Sequence, residues 1–125
     1  MAYQYFQNNP SGKVLGDCVV RAVSLATDEN WQKTYIALAL QGFLLSDMPN
    51  SDAVWGAYLR NSGFLRHSIP NTCPDCYTIA DFANDHPSGV FVLGTGSHAV
   101  AIINGNYMDA WDSGSEVPVF YYSKE

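Results

Sequence analysis

Apolar positions along the chain fall into two regimes, helical spacing in the first half and strand-like runs in the second. Val19, Ala22, Val23 and Ala26 share one helical face, and Trp31, Tyr35, Leu38 and Ala39 make another after the polar break Asp28-Glu29-Asn30. Gly42 ends or loosens that second helix, and a breaker region spans residues 46–50. Ser51-Asp52 caps a third helix through Val54, Trp55, Tyr58 and Leu59, which stops at Asn61-Ser62-Gly63. Residues 64–69 form a short strand, and Thr78 caps a short helix that ends before Pro87-Ser88-Gly89. Residues 90–93 are a buried strand, and residues 117–122 supply a last one with Pro118 near its start or on an edge. Helices followed by antiparallel strands predict an α+β fold, with N-terminal helices packed on a C-terminal antiparallel sheet in a single domain, 1–125.

The segment between those two strands carries the chemistry. His98 opens the alternating run Ala99-Val100-Ala101-Ile102-Ile103, and Asn104-Gly105 is a strong hairpin signal because both residues tolerate positive φ. A turn centred there pairs residues whose numbers sum to about 209 or 210, which sets His98 opposite Trp111 or Asp112. Asp112 is the expected neighbour, with Asp109 three positions short and expected, like Asp81 and Asp85, to be a solvated or capping group. A carboxylate on one ring nitrogen fixes the imidazole tautomer, which is useful when the other nitrogen faces a nucleophile. Cys18 supplies one at the start of the first helix, where the macrodipole and a nearby imidazolium both lower a thiol pKa. Asp17, as an N-cap, would offset part of that help.

The order of Cys, helices, a His-headed strand and then an Asp resembles the papain-like cysteine peptidase superfamily, including its leader-processing branch and short papain-like proteins of bacteria and their phages. The resemblance rests on Asp17-Cys18, on His98-Ala99-Val100-Ala101 and on Trp111-Asp112-Ser113-Gly114, and directly covers a third of the chain. It implies a Cys18–His98–Asp112 triad and a cysteine hydrolase, whether peptidase, isopeptidase or amidase, acting through a thioester. Papain-like enzymes usually place a Gln a few residues before the Cys as an oxyanion donor, and residues 12–17 hold none. Gln7, Asn8 or Asn9 could bring a side-chain amide back, with the Cys18 backbone N–H as the other donor, and Gln7 and Asn9 are the side-chain candidates carried forward. Trp55, Tyr58, Tyr107 and Trp111 are candidate walls of the cleft.

Composition narrows the partners. The chain has 125 residues, 47% hydrophobic and 14% aromatic, enough for a folded core. A net charge of -6 with six Lys and Arg argues against a nucleic-acid partner, which needs a basic face. Neither a leader nor a membrane-length apolar run stands out, so the expected compartment is the cytoplasm, with its three cysteines reduced. The expected partner is a peptide or protein presenting an amide or isopeptide carbonyl, with no membrane and no cofactor. Alternatives are a papain-like binding protein without hydrolysis, a thiol redox site at Cys73-Pro74-Asp75-Cys76, and a zinc module ligated by His67, Cys73, Cys76 and His86.

Overall fold

The computed structural model describes residues 2–124 and has an α+β architecture. In chain order the elements are β1 (Tyr3–Tyr5), α1 (Cys18–Thr27), α2 (Trp31–Leu45), α3 (Asp52–Asn61), β2 (Phe64–Ser68), α4 (Ile79–Asp85), β3 (Val90–Gly94), β4 (Ala99–Ile103), β5 (Asn106–Asp109) and β6 (Phe120–Lys124). The six strands form one sheet in the order β1-β5-β4-β3-β6-β2. Its pairings are antiparallel except that β1 runs parallel to β5, so the sheet is mixed where an antiparallel one was expected. Three residues of β1 are too few to show an alternating pattern, and their partner lies about a hundred positions away in sequence.

The sheet is covered on both faces. Val92, Ala99 and Ala101 pack with Val19, Ala22, Val23, Leu38 and Trp55 of α1, α2 and α3. The intervening residues Leu93, Val100 and Ile102 pack with Ile79, Phe82 and Ala83 of α4. Continuous apolar character in β3 and β4 therefore reports burial on two sides, with α4 opposite the other helices. Full burial of a residue such as Val23 contributes about 1.5–3 kcal/mol relative to exposure. Small Ala99 and Ala101 let α1 pack closely on β4, near the middle of the sheet.

Local signals account for the boundaries. The hairpin joining β4 and β5 turns at Asn104 and Gly105, both at positive φ (49° and 81°), as a two-residue primed turn requires. Its register pairs Ile103 with Asn106 and Ile102 with Tyr107, so partner numbers sum to 209. Asn30 caps α2 by accepting the Lys33 N–H, and Thr78 and Asp81 form a reciprocal capping box on α4. Ser51 is the N-cap of α3, with no side-chain cap bond. Helix α2 continues through Gly42 to Leu45. A Cβ at Gly42 would lie 2.8 Å from the Asp47 carbonyl oxygen, so this glycine is needed for the returning chain to cross the helix rather than for ending it. Strand β6 starts at Phe120, after Pro118.

Candidate active site

Helix α1 presents Cys18 as its first residue, and the chain enters β4 through His98, one position before the strand begins. Packing of α1 against β4 brings the two together, and the Cys18 thiol is hydrogen-bonded to the His98 side chain and to the Ala99 backbone. On the other side of the ring, His98 Nε2–H donates to Asp109 Oδ2 at 2.6 Å, which leaves Nδ1 for the thiol. Sulfur, imidazole and carboxylate thus form one chain across α1, β4 and β5.

The carboxylate is Asp109, not the expected Asp112. The β4–β5 ladder ends at the Ala101–Met108 pair, so both His98 and Asp109 lie beyond it. Extrapolating the register sets Trp111 opposite His98, and their ring centroids are indeed 5.0 Å apart. Asp112 falls one position further on, accepting the Tyr107 hydroxyl at 2.8 Å and the Gly114 N–H at 3.0 Å. Burial and that contact push Tyr107 up to about 12. Far from being a solvated carboxylate, Asp109 is only 1% exposed and accepts four donors: Arg21 and its neighbouring Ala110 N–H on Oδ1, His98 and the Ser113 hydroxyl on Oδ2.

The charges reinforce one another. Burial alone would raise the Cys18 pKa, but hydrogen bonds from His98 and Ala99 and the charges of His98 and Arg21 more than offset it, and the thiol is lowered. Burial alone would lower His98, yet the bonds to Asp109 and Cys18 carry it up to about 9. Asp109 is lowered despite its burial by His98, Ser113 and Ala110. All three shifts run the same way, drawing the thiol toward thiolate, the imidazole toward imidazolium and the carboxyl toward carboxylate.

Behind the site lies a buried guanidinium. Arg21 is 5% exposed and bridges the Asp17 carboxylate and Asp109, the latter at 2.9 Å. Asp17 also accepts the Trp31 indole N–H at 3.0 Å. Its side chain therefore does not cap α1, and no side chain does, so Asp17 is turned away from the first-turn N–H groups beside Cys18. Arg21 had a legible signal: it is the lone cation in the apolar run of α1, four residues after Asp17.

A groove crosses the Cys18–His98 pair. On one side is a hollow of about 420 Å³ whose lining includes Tyr5, Gln7, Leu15, Arg21 and Trp111. On the other is a smaller hollow of about 180 Å³ bounded by Gly16, Asn50, Asp52, Trp55, Gly96 and Ser97. Gln7 Oε1 accepts the Asn9 N–H at 2.8 Å, which commits the oxygen and leaves the amide NH₂ as a donor. Asn9 is committed to a turn, its Oδ1 accepting both the N–H and the hydroxyl of Ser11, and Asn8 donates to Ser24. Of the four expected walls, Trp55 and Trp111 line the groove; Tyr107 is held by Asp112, and Tyr58 packs against the core.

The four zinc-ligand candidates do not converge. Cys73 and Cys76 are joined in a disulfide in the connection between β2 and α4, so these two thiols are not reduced as expected. His67 meets the Ser123 hydroxyl and stacks on Tyr121, while His86 donates Nδ1–H to the Phe82 carbonyl and stacks on that ring. Among the described residues, no group of three or more His, Cys, Asp and Glu could hold a metal ion, and no helix is long and apolar enough to cross a membrane.

Comparison of the chain with models of protein families, with curated proteins and with solved structures finds no match.

Proposed function

We propose that the protein is a cysteine hydrolase of papain-like type, acting on an amide or isopeptide carbonyl of a peptide or protein through a thioester. The observation that carries this reading is the continuous hydrogen-bonded line Cys18–His98–Asp109 with a groove on each side of it. A structural cysteine has no need of a raised imidazole braced by a buried carboxylate.

In the proposed reaction the Cys18 thiolate attacks the carbonyl carbon and the C–O electron pair moves onto oxygen. The Cys18 backbone N–H, unopposed by any capping side chain, and the Gln7 amide stabilise that oxyanion. As the tetrahedral species collapses, His98 gives its proton to the leaving nitrogen and the C–N bond breaks. Water then attacks the thioester with His98 as general base, and the acid product leaves as the thiolate and imidazolium are restored. Asp109 holds the ring and its positive charge throughout, and Arg21 with Ser113 holds Asp109.

An activated ester such as p-nitrophenyl acetate tests the reading. Mass spectrometry is expected to find one acetyl group on Cys18, lost on standing, and little acylation of Cys18 in His98→Ala. Acylation confined to lysines, or of Cys18 at the same rate without His98, contradicts it and favours a binding protein without hydrolysis.

A further inference from the structure

The two hollows beside the Cys18–His98 pair differ in chemistry. Tyr5, Val14, Leu15 and Trp111 put exposed apolar surface around the larger one. The smaller one is polar, with Asn50, Ser97 and Asp52 on the wall that also carries the thiol and the imidazole. Asp52 is the first residue of α3, and its Oδ1 accepts the Trp55 indole N–H at 3.0 Å. Trp55 belongs to the same wall and is only 1% exposed, so a fixed core ring holds the carboxylate in place. Among the described residues no Lys, Arg or His pairs with Asp52.

Charge around the groove is left with one sign. Of the six Lys and Arg, Arg21 alone lines either hollow, and it is outnumbered by the two carboxylates it bridges, Asp17 and Asp109. Cys18 and His98 together carry no net charge, whether the proton sits on sulfur or on nitrogen. Asp52 therefore adds an anion to a site that is already anionic, inside a concavity that concentrates its field. An aspartate in the first turn of a helix suits the macrodipole without any ligand. Its place on the wall that holds the nucleophile is what gives this one something to recognise. At about 180 Å³ the hollow is smaller than the ~300 Å³ at which whole-ligand pockets begin, so what enters it is one side chain of a longer substrate.

We propose that Asp52 is a specificity residue that selects substrates with a Lys or Arg beside the amide bond Cys18 attacks, its carboxylate pairing with their ammonium or guanidinium group. The proposal rests on the hydrolase reading of the site.

Charged thiol reagents read the site without any turnover. The cationic 2-(trimethylammonio)ethyl methanethiosulfonate and the anionic 2-sulfonatoethyl methanethiosulfonate each transfer a thioalkyl group to Cys18 and release methanesulfinate, and peptide mass spectrometry gives the two rates. Asp52→Asn, which keeps an oxygen for Trp55, is expected to lower the cation-to-anion rate ratio about tenfold, and Asp52→Lys to lower it further. Asp28→Asn changes the net charge equally at the far end of α1, where Asn suits the left-handed cap, and is expected to leave the ratio unchanged. Digestion of a random peptide mixture, with the cuts read by mass spectrometry, is expected to show Lys or Arg enriched in one of the positions flanking the cut. Asp52→Lys is expected to exchange that preference for Asp or Glu. A ratio indifferent to Asp52→Asn, or cuts without a preference for Lys and Arg, overturns the proposal. A ratio that follows Asp52 with no cut in any peptide contradicts the hydrolase reading instead, and leaves Asp52 as the cation site of a binding groove.

Discussion

His98 and Asp109 meet through Nε2 and Oδ2 at 2.6 Å, just beyond the last rung of the hairpin that carries them. The carboxylate is buried, four-fold hydrogen-bonded and lowered, so it serves as a fixed anion for the imidazolium. Asp109→Asn removes that anion while keeping the shape. Turnover is expected to fall on the order of 10²–10⁴-fold, with the alkylation profile of Cys18 shifted to higher pH. Asp112→Asn is expected to leave both unchanged and to disturb the contacts with Tyr107 and the Gly114 N–H. Steady-state rates and cysteine labelling of the two variants side by side check the assignment.

Opposed shifts at Cys18 and His98 govern how stability depends on pH. His98 rises to about 9, so its contribution is complete below its unfolded value near 6.5 and is lost as pH climbs through 9. Cys18 is lowered, so its contribution grows as pH approaches the unfolded thiol value. Between the unfolded His and thiol values the two contributions change in opposite directions, so wild-type stability is expected to vary with pH less than either group alone would make it. Cys18→Ser keeps Asp109 beside His98 but has no thiolate, so its stability is expected to fall as pH rises through that interval. Urea melts at stepped pH check this, and a variant whose stability falls no more than the wild type's contradicts it.

Arg21 compensates two buried carboxylates at once. Arg21→Met leaves Asp17 and Asp109 without their cation and is expected to cost about 3–5 kcal/mol. Adding Asp17→Asn removes one of the stranded charges and is expected to recover part of that loss. Thermal and urea unfolding of the single and double variants provide the check, and the coupling between them measures the bridge.

Gln7 is expected to matter to the tetrahedral species and not to the resting thiol. Gln7→Ala should lower turnover about 10²–10³-fold and weaken peptide aldehydes, whose thiol adduct carries the same oxygen. Iodoacetamide labelling of Cys18 should stay at the wild-type rate. Equal loss of both would assign Gln7 to building the groove instead.

Much of this was legible along the chain, for reasons that differ by residue. Cys18 and His98 stand out because each opens a strongly periodic element, and element starts carry clear signals at Asn30, Thr78 and Asn104-Gly105. The hairpin register was legible too, since its turn chemistry sets it. Asp109 was not, because register describes only paired residues and the chain leaves the ladder before reaching His98. Strand β1 is short and finds its partner at the far end of the chain. Continuation of α2 through Gly42 depends on the close return of residues 47–49, a tertiary contact that outweighs local propensity.

The ion pair itself is the central claim, and labelling of Cys18 by iodoacetamide as a function of pH, read by peptide mass spectrometry, tests it most directly. Labelling is expected to set in at lower pH than for an ordinary thiol, and to lose that shift in His98→Ala. Slow labelling that tracks an ordinary thiol near pH 8.5 and ignores His98 would contradict it.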